Sequence, residues 1–139
     1  MGAWGIHTFE DDHNADWLDA LIENEQPLAF FRECLDLEGI DELEYMHGTG
    51  VLCPAVMIDA LLHGPTADLP REALEWLEKH KKLKVARLLP KAIAGLDRLL
   101  DDTSEMNELW KDNEELYPQW RKRILALRRR LKKAAAPKA

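Results

Sequence analysis

The sequence is poor in everything that would staple, anchor or export a small protein. It has two cysteines, Cys34 and Cys53, and neither has a Cys-x-x-Cys partner. A structural zinc site needs about four ligands, and a disulfide framework needs several spaced pairs. Both cysteines are therefore expected to be small buried hydrophobes in a reducing compartment. No apolar run is expected to reach the roughly 18–20 residues of a membrane span. The opening, MGAWGIHTFEDDHNADW, has neither the basic nor the apolar region of a secretory leader. A myristoylation signal at Gly2 wants Ser or Thr at position 6, where Ile6 stands. The expectation is a cytoplasmic protein without a membrane partner.

Catalytic patterns are missing as well. There is no Gly-x-Ser-x-Gly elbow, no His-Glu-x-x-His pair, no calcium loop and no phosphate-cradling glycine loop. Nothing calls for a cofactor, and an enzyme is the less expected class. No alternating run is bounded by a hairpin turn, and nothing repeats at a fixed period.

Charge is scarce in a different way, by sign and by region. Residues 1–70 hold 15 acidic side chains and one basic one, Arg32. Residues 71–120 hold 11 acidic and 9 basic, and residues 121–139 hold 9 basic and none acidic. An acidic surface repels nucleic acid and attracts basic partners. The competing reading is that the two ends neutralise each other in the fold.

What is present is helical periodicity. The 139 residues suit one domain, with 46% hydrophobic and 32% charged residues excluding a wholly disordered chain. Residues 1–133 are expected to form it and 134–139 to fray. Trp4 and Phe9 argue that residues 1–13 are a packed-down loop. A first helix is expected from Asn14, as cap, to Asn24, with Trp17, Leu18, Leu21 and Ile22 on one stripe. A second follows over Pro27–Leu37. Residues 40–50 read as a connection, with Gly48 and Gly50 marking a flexible turn. The third, Val51–Leu62, is apolar on nearly every side, with Asp59 as its one charge, and ends at His63-Gly64-Pro65; it is expected at the centre. Asp68 would cap a fourth helix from about Leu69-Pro70 to His80. The fifth spans Leu83–Leu100, with Pro90 kinking it or moving its start to Leu89. Asp102 with Glu105 reads as a capping box for a sixth, Thr103–Asn113. The seventh starts at Pro118 and carries Trp120, Ile124, Leu127 and Leu131 on one stripe. The fold class is all-α: a single compact bundle of about six to seven helices.

Three stretches near the start are distinctive: Met1-Gly2-Ala3-Trp4-Gly5, then Phe9-Glu10-Asp11-Asp12, then Ala15-Asp16-Trp17-Leu18. They resemble the opening of a widespread bacterial family of small proteins, domain-of-unknown-function family 4259. Softer similarity follows in Ala55–Pro65 and in Ser104-Glu105 with Glu108-Leu109-Trp110. Asp11 stands where that family commonly has Asn, and the basic tail beyond Arg121 is stronger than its members suggest. The resemblance implies a bacterial, cytoplasmic, all-helical protein and no particular activity.

Candidate chemistry gathers at the acidic front. His7, Glu10, Asp11, Asp12, His13 and Asp16 lie within ten residues. Asp11, Asp12 and Asn14 are expected to complement a helix N-terminus. The alternative is a divalent metal, or an acid/base pair, on His7, Asp11, Asp12, His13 and Asp16. The tail, RKRILALRRRLKK, is expected to pack on its own protein, with nucleic acid or a membrane surface as alternatives. The leading expectation is a non-enzymatic protein-binding module, of the immunity or antitoxin type, that masks a basic effector such as a nuclease. Binding would be carried by Asp11, Asp12, Asp16, Asp19 and Glu23, with Trp4 or Trp17 as anchors. The runners-up are a small metal-dependent enzyme and a nucleic-acid binder.

Overall fold

The computed structural model describes residues 7–136. Seven α-helices follow one another: α1 (Asp12–Glu23), α2 (Pro27–Leu35), α3 (Tyr45–His63), α4 (Arg71–Lys79), α5 (Leu89–Leu99), α6 (Glu105–Lys111) and α7 (Tyr117–Ala135). Short 3-10 turns precede α1 (Thr8–Glu10) and α5 (Ala86–Leu88). Among the described residues there is no strand, so the all-α expectation holds. An isolated bridge joins Leu43 to Ser104, in which Leu43 N donates to Thr103 O at 2.8 Å and Glu105 N to Leu43 O at 2.9 Å. It pins the segment entering α3 to the start of α6.

The hydrophobic helix is central, as its all-round apolarity requires. Val51, Cys53, Ala55, Met57 and Ile58 are wholly buried, and α1, α2, α5 and α7 pack around α3. Its start corrects the sequence reading. Gly48 and Gly50 lie inside the helix rather than in a flexible turn. They serve close approach: a Cβ on Gly48 would stand 3.1 Å from Met106 Cε, and one on Gly50 would stand 3.3 Å from the Cys34 carbonyl oxygen. A glycine loses helix propensity of about 1 kcal/mol, and here it gains contact with α6 and α2. Pro54 also sits within α3, where it leaves the Gly50 carbonyl without the usual amide donor. The extension makes α3 19 residues long, with an 18-residue stretch of mean hydropathy 1.3, long and apolar enough by length and composition to cross a membrane. That revises the expectation that no run reaches such a length, although 67% of the stretch is buried inside the bundle.

Other boundaries moved for reasons of capping. Asp11, not Asn14, caps α1: its carboxylate accepts from His13 N at 2.8 Å and Asn14 N at 3.3 Å. Helix α2 stops at Leu35, short of Leu37. Asp68 does not cap α4, whose N-terminal flank is Pro70 without a side-chain bond. Ser104, not Asp102, caps α6 by accepting from Asn107 N at 3.2 Å. Pro90 falls in the first turn of α5, so that helix starts at Leu89 without a kink. The seventh helix buries Trp120, Ile124, Leu127 and Leu131, the four residues of its apolar stripe. At about 1.5–3 kcal/mol per buried large side chain, that stripe alone accounts for its docking on the body.

Candidate functional site

Helix α1 has two unlike faces. Asn14, Trp17, Leu18 and Leu21 point inward and are buried. At 100° per residue, Asp12, Asp16, Asp19 and Glu23 fall on a single line opposite them, at i, i+4, i+7 and i+11. All four are exposed. Among the described residues none of the four has a salt-bridge partner. Like charges at i, i+4 destabilise a helix by about 0.2–0.5 kcal/mol per pair. Glu23 adds a carboxylate at the end of the helix that carries the negative pole. Ile22, 42% exposed, flanks this line as an uncovered apolar side chain.

The remaining candidates at the acidic front have structural duties. Asp11 is buried at 6% exposure. Besides capping α1, it accepts a hydrogen bond from the Tyr45 hydroxyl of α3. Asn14 continues the network: its Nδ2 donates to Thr8 O at 2.9 Å, and its Oδ1 accepts from Thr49 Oγ1 at 2.8 Å. Burial and the Asp11 carboxylate push the Tyr45 phenol far above its ordinary range. Trp17 is 8% exposed, stacks on Phe30 and Phe31 with centroids at 5.4 and 6.1 Å, and donates from Nε1 to Cys34 Sγ at 3.4 Å. Neither Asp11 nor Trp17 is presented to a partner, which corrects their assignment to a binding surface. Trp4 lies outside the described residues.

The alternative metal set does not converge. Among the described residues no three His, Cys, Asp or Glu side chains are grouped to hold an ion. His7 turns to Asp68 at 3.4 Å and Glu10 at 3.7 Å, while His13 packs on the Tyr45 ring at 5.1 Å between centroids. Asp11 faces into the capping network, and Asp12 and Asp16 face solvent. The cysteines are free. Burial holds the Cys53 thiol well above its ordinary value, and burial likewise raises Cys34 against the opposing effect of the Trp17 hydrogen bond. Neither thiol is activated as a nucleophile.

Four arginines of the basic tail, Arg121, Arg123, Arg128 and Arg130, are engaged by the body. Arg130 Nε lies 3.0 and 3.2 Å from the two carboxylate oxygens of Asp59, which also meets His63 Nδ1 at 2.9 Å. Arg123 Nη2 donates to Asp68 at 2.9 Å. Arg128 pairs with Asp97 through Nε and Nη2. Arg121 donates to the Leu100 carbonyl at 3.4 Å. Burial raises the Asp68 carboxyl, but a hydrogen bond from Thr66 and the Arg123 charge outweigh it and hold the group below its ordinary value.

The Asp59–Arg130 and Asp68–Arg123 pairs border a cleft between α3 and α7, with a volume of about 210 Å³. The sequence reading missed it. One signal was available: Asp59 is the single charge in an apolar helix, and a buried carboxylate requires a cationic or hydrogen-bonding partner. The chain separation between Asp59 and Arg130, 71 residues, hid which cation that was.

Residues 2–123 match the model of a family described as a domain of unknown function, DUF4259. No curated protein and no solved structure matches the chain. The matched span takes in all of α1 to α6 and ends inside α7 at Arg123, leaving Arg128 and Arg130 beyond it. With nearly the whole helical body covered, the chain belongs to the DUF4259 family.

Proposed function

We propose that this protein is a non-enzymatic protein-binding module whose acidic α1 face captures a basic partner. Its concrete form is an immunity- or antitoxin-type inhibitor that masks a basic bacterial effector such as a nuclease. The observation that carries the reading is the line of Asp12, Asp16, Asp19 and Glu23, exposed and without a cation among the described residues. Three arginines of α7, Arg123, Arg128 and Arg130, pair with Asp68, Asp97 and Asp59. Internal neutralisation therefore accounts for part of the acidic half and leaves α1 out. A helix that carries uncompensated like charge at a cost to itself is suited to a ligand that supplies the opposite charge. Ile22 beside the line offers an apolar contact.

The test is capture from the host lysate with tagged protein at low and moderate salt, beside the triple charge reversal Asp16→Lys, Asp19→Lys, Glu23→Lys. The expected result is a near-stoichiometric basic protein that is lost as salt rises and lost with the reversal. Capture unchanged by the reversal, or no basic protein at low salt with the effector expressed, overturns the reading.

A further inference from the structure

The α3–α7 cleft is separate from the α1 face and plays no part in that reading. Short side chains on both helices, Ala60 and Ala126 among them, line it. On α7, Arg123, Ala126, Leu127 and Arg130 fall at i, i+3, i+4 and i+7 and so share a face. Ala126 is the short side chain between two long ones, and it lines the hollow of about 210 Å³. Val56, Asp59 and Ala60 of α3 form the facing wall. The lining joins apolar side chains, such as Val56 and Leu127, to two ion pairs, Asp59 with Arg130 and Asp68 with Arg123.

The arginines are held but not used up. Arg130 offers Asp59 only its Nε hydrogen, and among the described residues neither of its Nη nitrogens has a hydrogen-bond partner. Arg123 offers Asp68 only Nη2. A guanidinium has five N–H donors in a rigid fork. Gripping it at Nε fixes the orientation of the fork and leaves the Nη edge open for a second, two-pronged anion contact. Asp59, only 6% exposed, is satisfied by Arg130 and His63 and serves as the holder.

We propose that this cleft binds a small organic anion. Its apolar body lies over Ala126 between α3 and α7, and its carboxylate or phosphate group sits on the open Nη edge of Arg130. The volume limits the size: about 210 Å³ is less than drug-sized sites occupy and suits a single ring or a short chain.

The experiment titrates the ¹⁵N-labelled full chain with benzoate, phenyl phosphate and, as the neutral counterpart, benzyl alcohol, following amide shifts to about 10 mM, the range expected of ligands this small. Saturable shifts in residues 56–60 and 123–130 with either anion are expected, with benzyl alcohol weaker by about fivefold or more. The anion that saturates first names the head group. Arg130→Gln, which keeps a donor for Asp59, is expected to weaken anion binding by about fivefold or more, and Ala126→Leu to abolish it by filling the hollow. No saturation with either anion, an equal response to benzyl alcohol, or unchanged affinity in Ala126→Leu overturns the proposal. Should Arg130→Gln fail to fold, Ala126→Leu decides, since it leaves every ion pair in place.

Discussion

Asp11 and Asp12 are neighbours of the same chemistry with different fates. Asp11 receives two backbone amides and a phenol in a buried setting, while Asp12 projects from the first turn into water. Asp11→Ala removes a cap and strands the Tyr45 hydroxyl. The expected loss is about 1–3 kcal/mol in a denaturant melt, against less than about 0.5 kcal/mol for Asp12→Ala. Equal effects would show that the Asp11–Tyr45 link carries no stability. Asp68 makes a pH-dependent contribution. Its folded value lies below the unfolded one of about 3.9, so its stabilisation is present above that pH and is lost as pH falls through the folded value. The pair with Arg123 is partly exposed, so Asp68→Asn is expected to cost about 1 kcal/mol or less at pH 7. The gap between the two proteins closes in melts taken progressively below about pH 4.

At the scale of elements, helix approach is set by small residues. A Cβ on Gly95 of α5 would stand 2.9 Å from Val51 Cγ1 on α3. An Ala gains up to about 1 kcal/mol of helix propensity but overpacks a full core, at about 1–3 kcal/mol. Gly95→Ala is therefore expected to lower stability, and pairing it with Val51→Ala should give a double variant less destabilised than the sum of the two. Strict additivity would mean the helices move apart freely. The same logic separates the legible elements from the misread ones. Helix α7 was legible because Trp120, Ile124, Leu127 and Leu131 repeat on one face. The start of α3 was misread because Gly48, Gly50 and Pro54 are locally turn-like residues. The close approach of Met106 to Gly48 and of Cys34 to Gly50, residues distant in sequence, is what the two glycines serve there.

For the whole molecule, charge is distributed in two ways. One set of carboxylates closes onto α7, and the α1 line stays open. Replacing the open line by Asp16→Asn, Asp19→Asn and Glu23→Gln is expected to raise stability at low salt by about 0.2–0.5 kcal/mol per relieved pair. The gain should shrink above about 0.5 M salt, where screening shortens to a few ångströms. A loss of stability would mean that these side chains are engaged within the fold.

The sequence by itself determined the class, the helix number and the identity of the central helix. These depend on apolar periodicity and on breakers such as His63-Gly64-Pro65, which are local properties. It also showed that the acidic and basic halves are segregated. Which carboxylates the arginines reach was decided only by the tertiary structure, since Asp59 with Arg130 and Asp68 with Arg123 meet across 71 and 55 residues. So were the link of Asp11 to Tyr45, the glycines inside α3 and the cleft between α3 and α7. The physical reason is common to all four. Pairing, burial and empty space depend on which faces of two helices oppose each other, and periodicity along one helix carries no information about its neighbour.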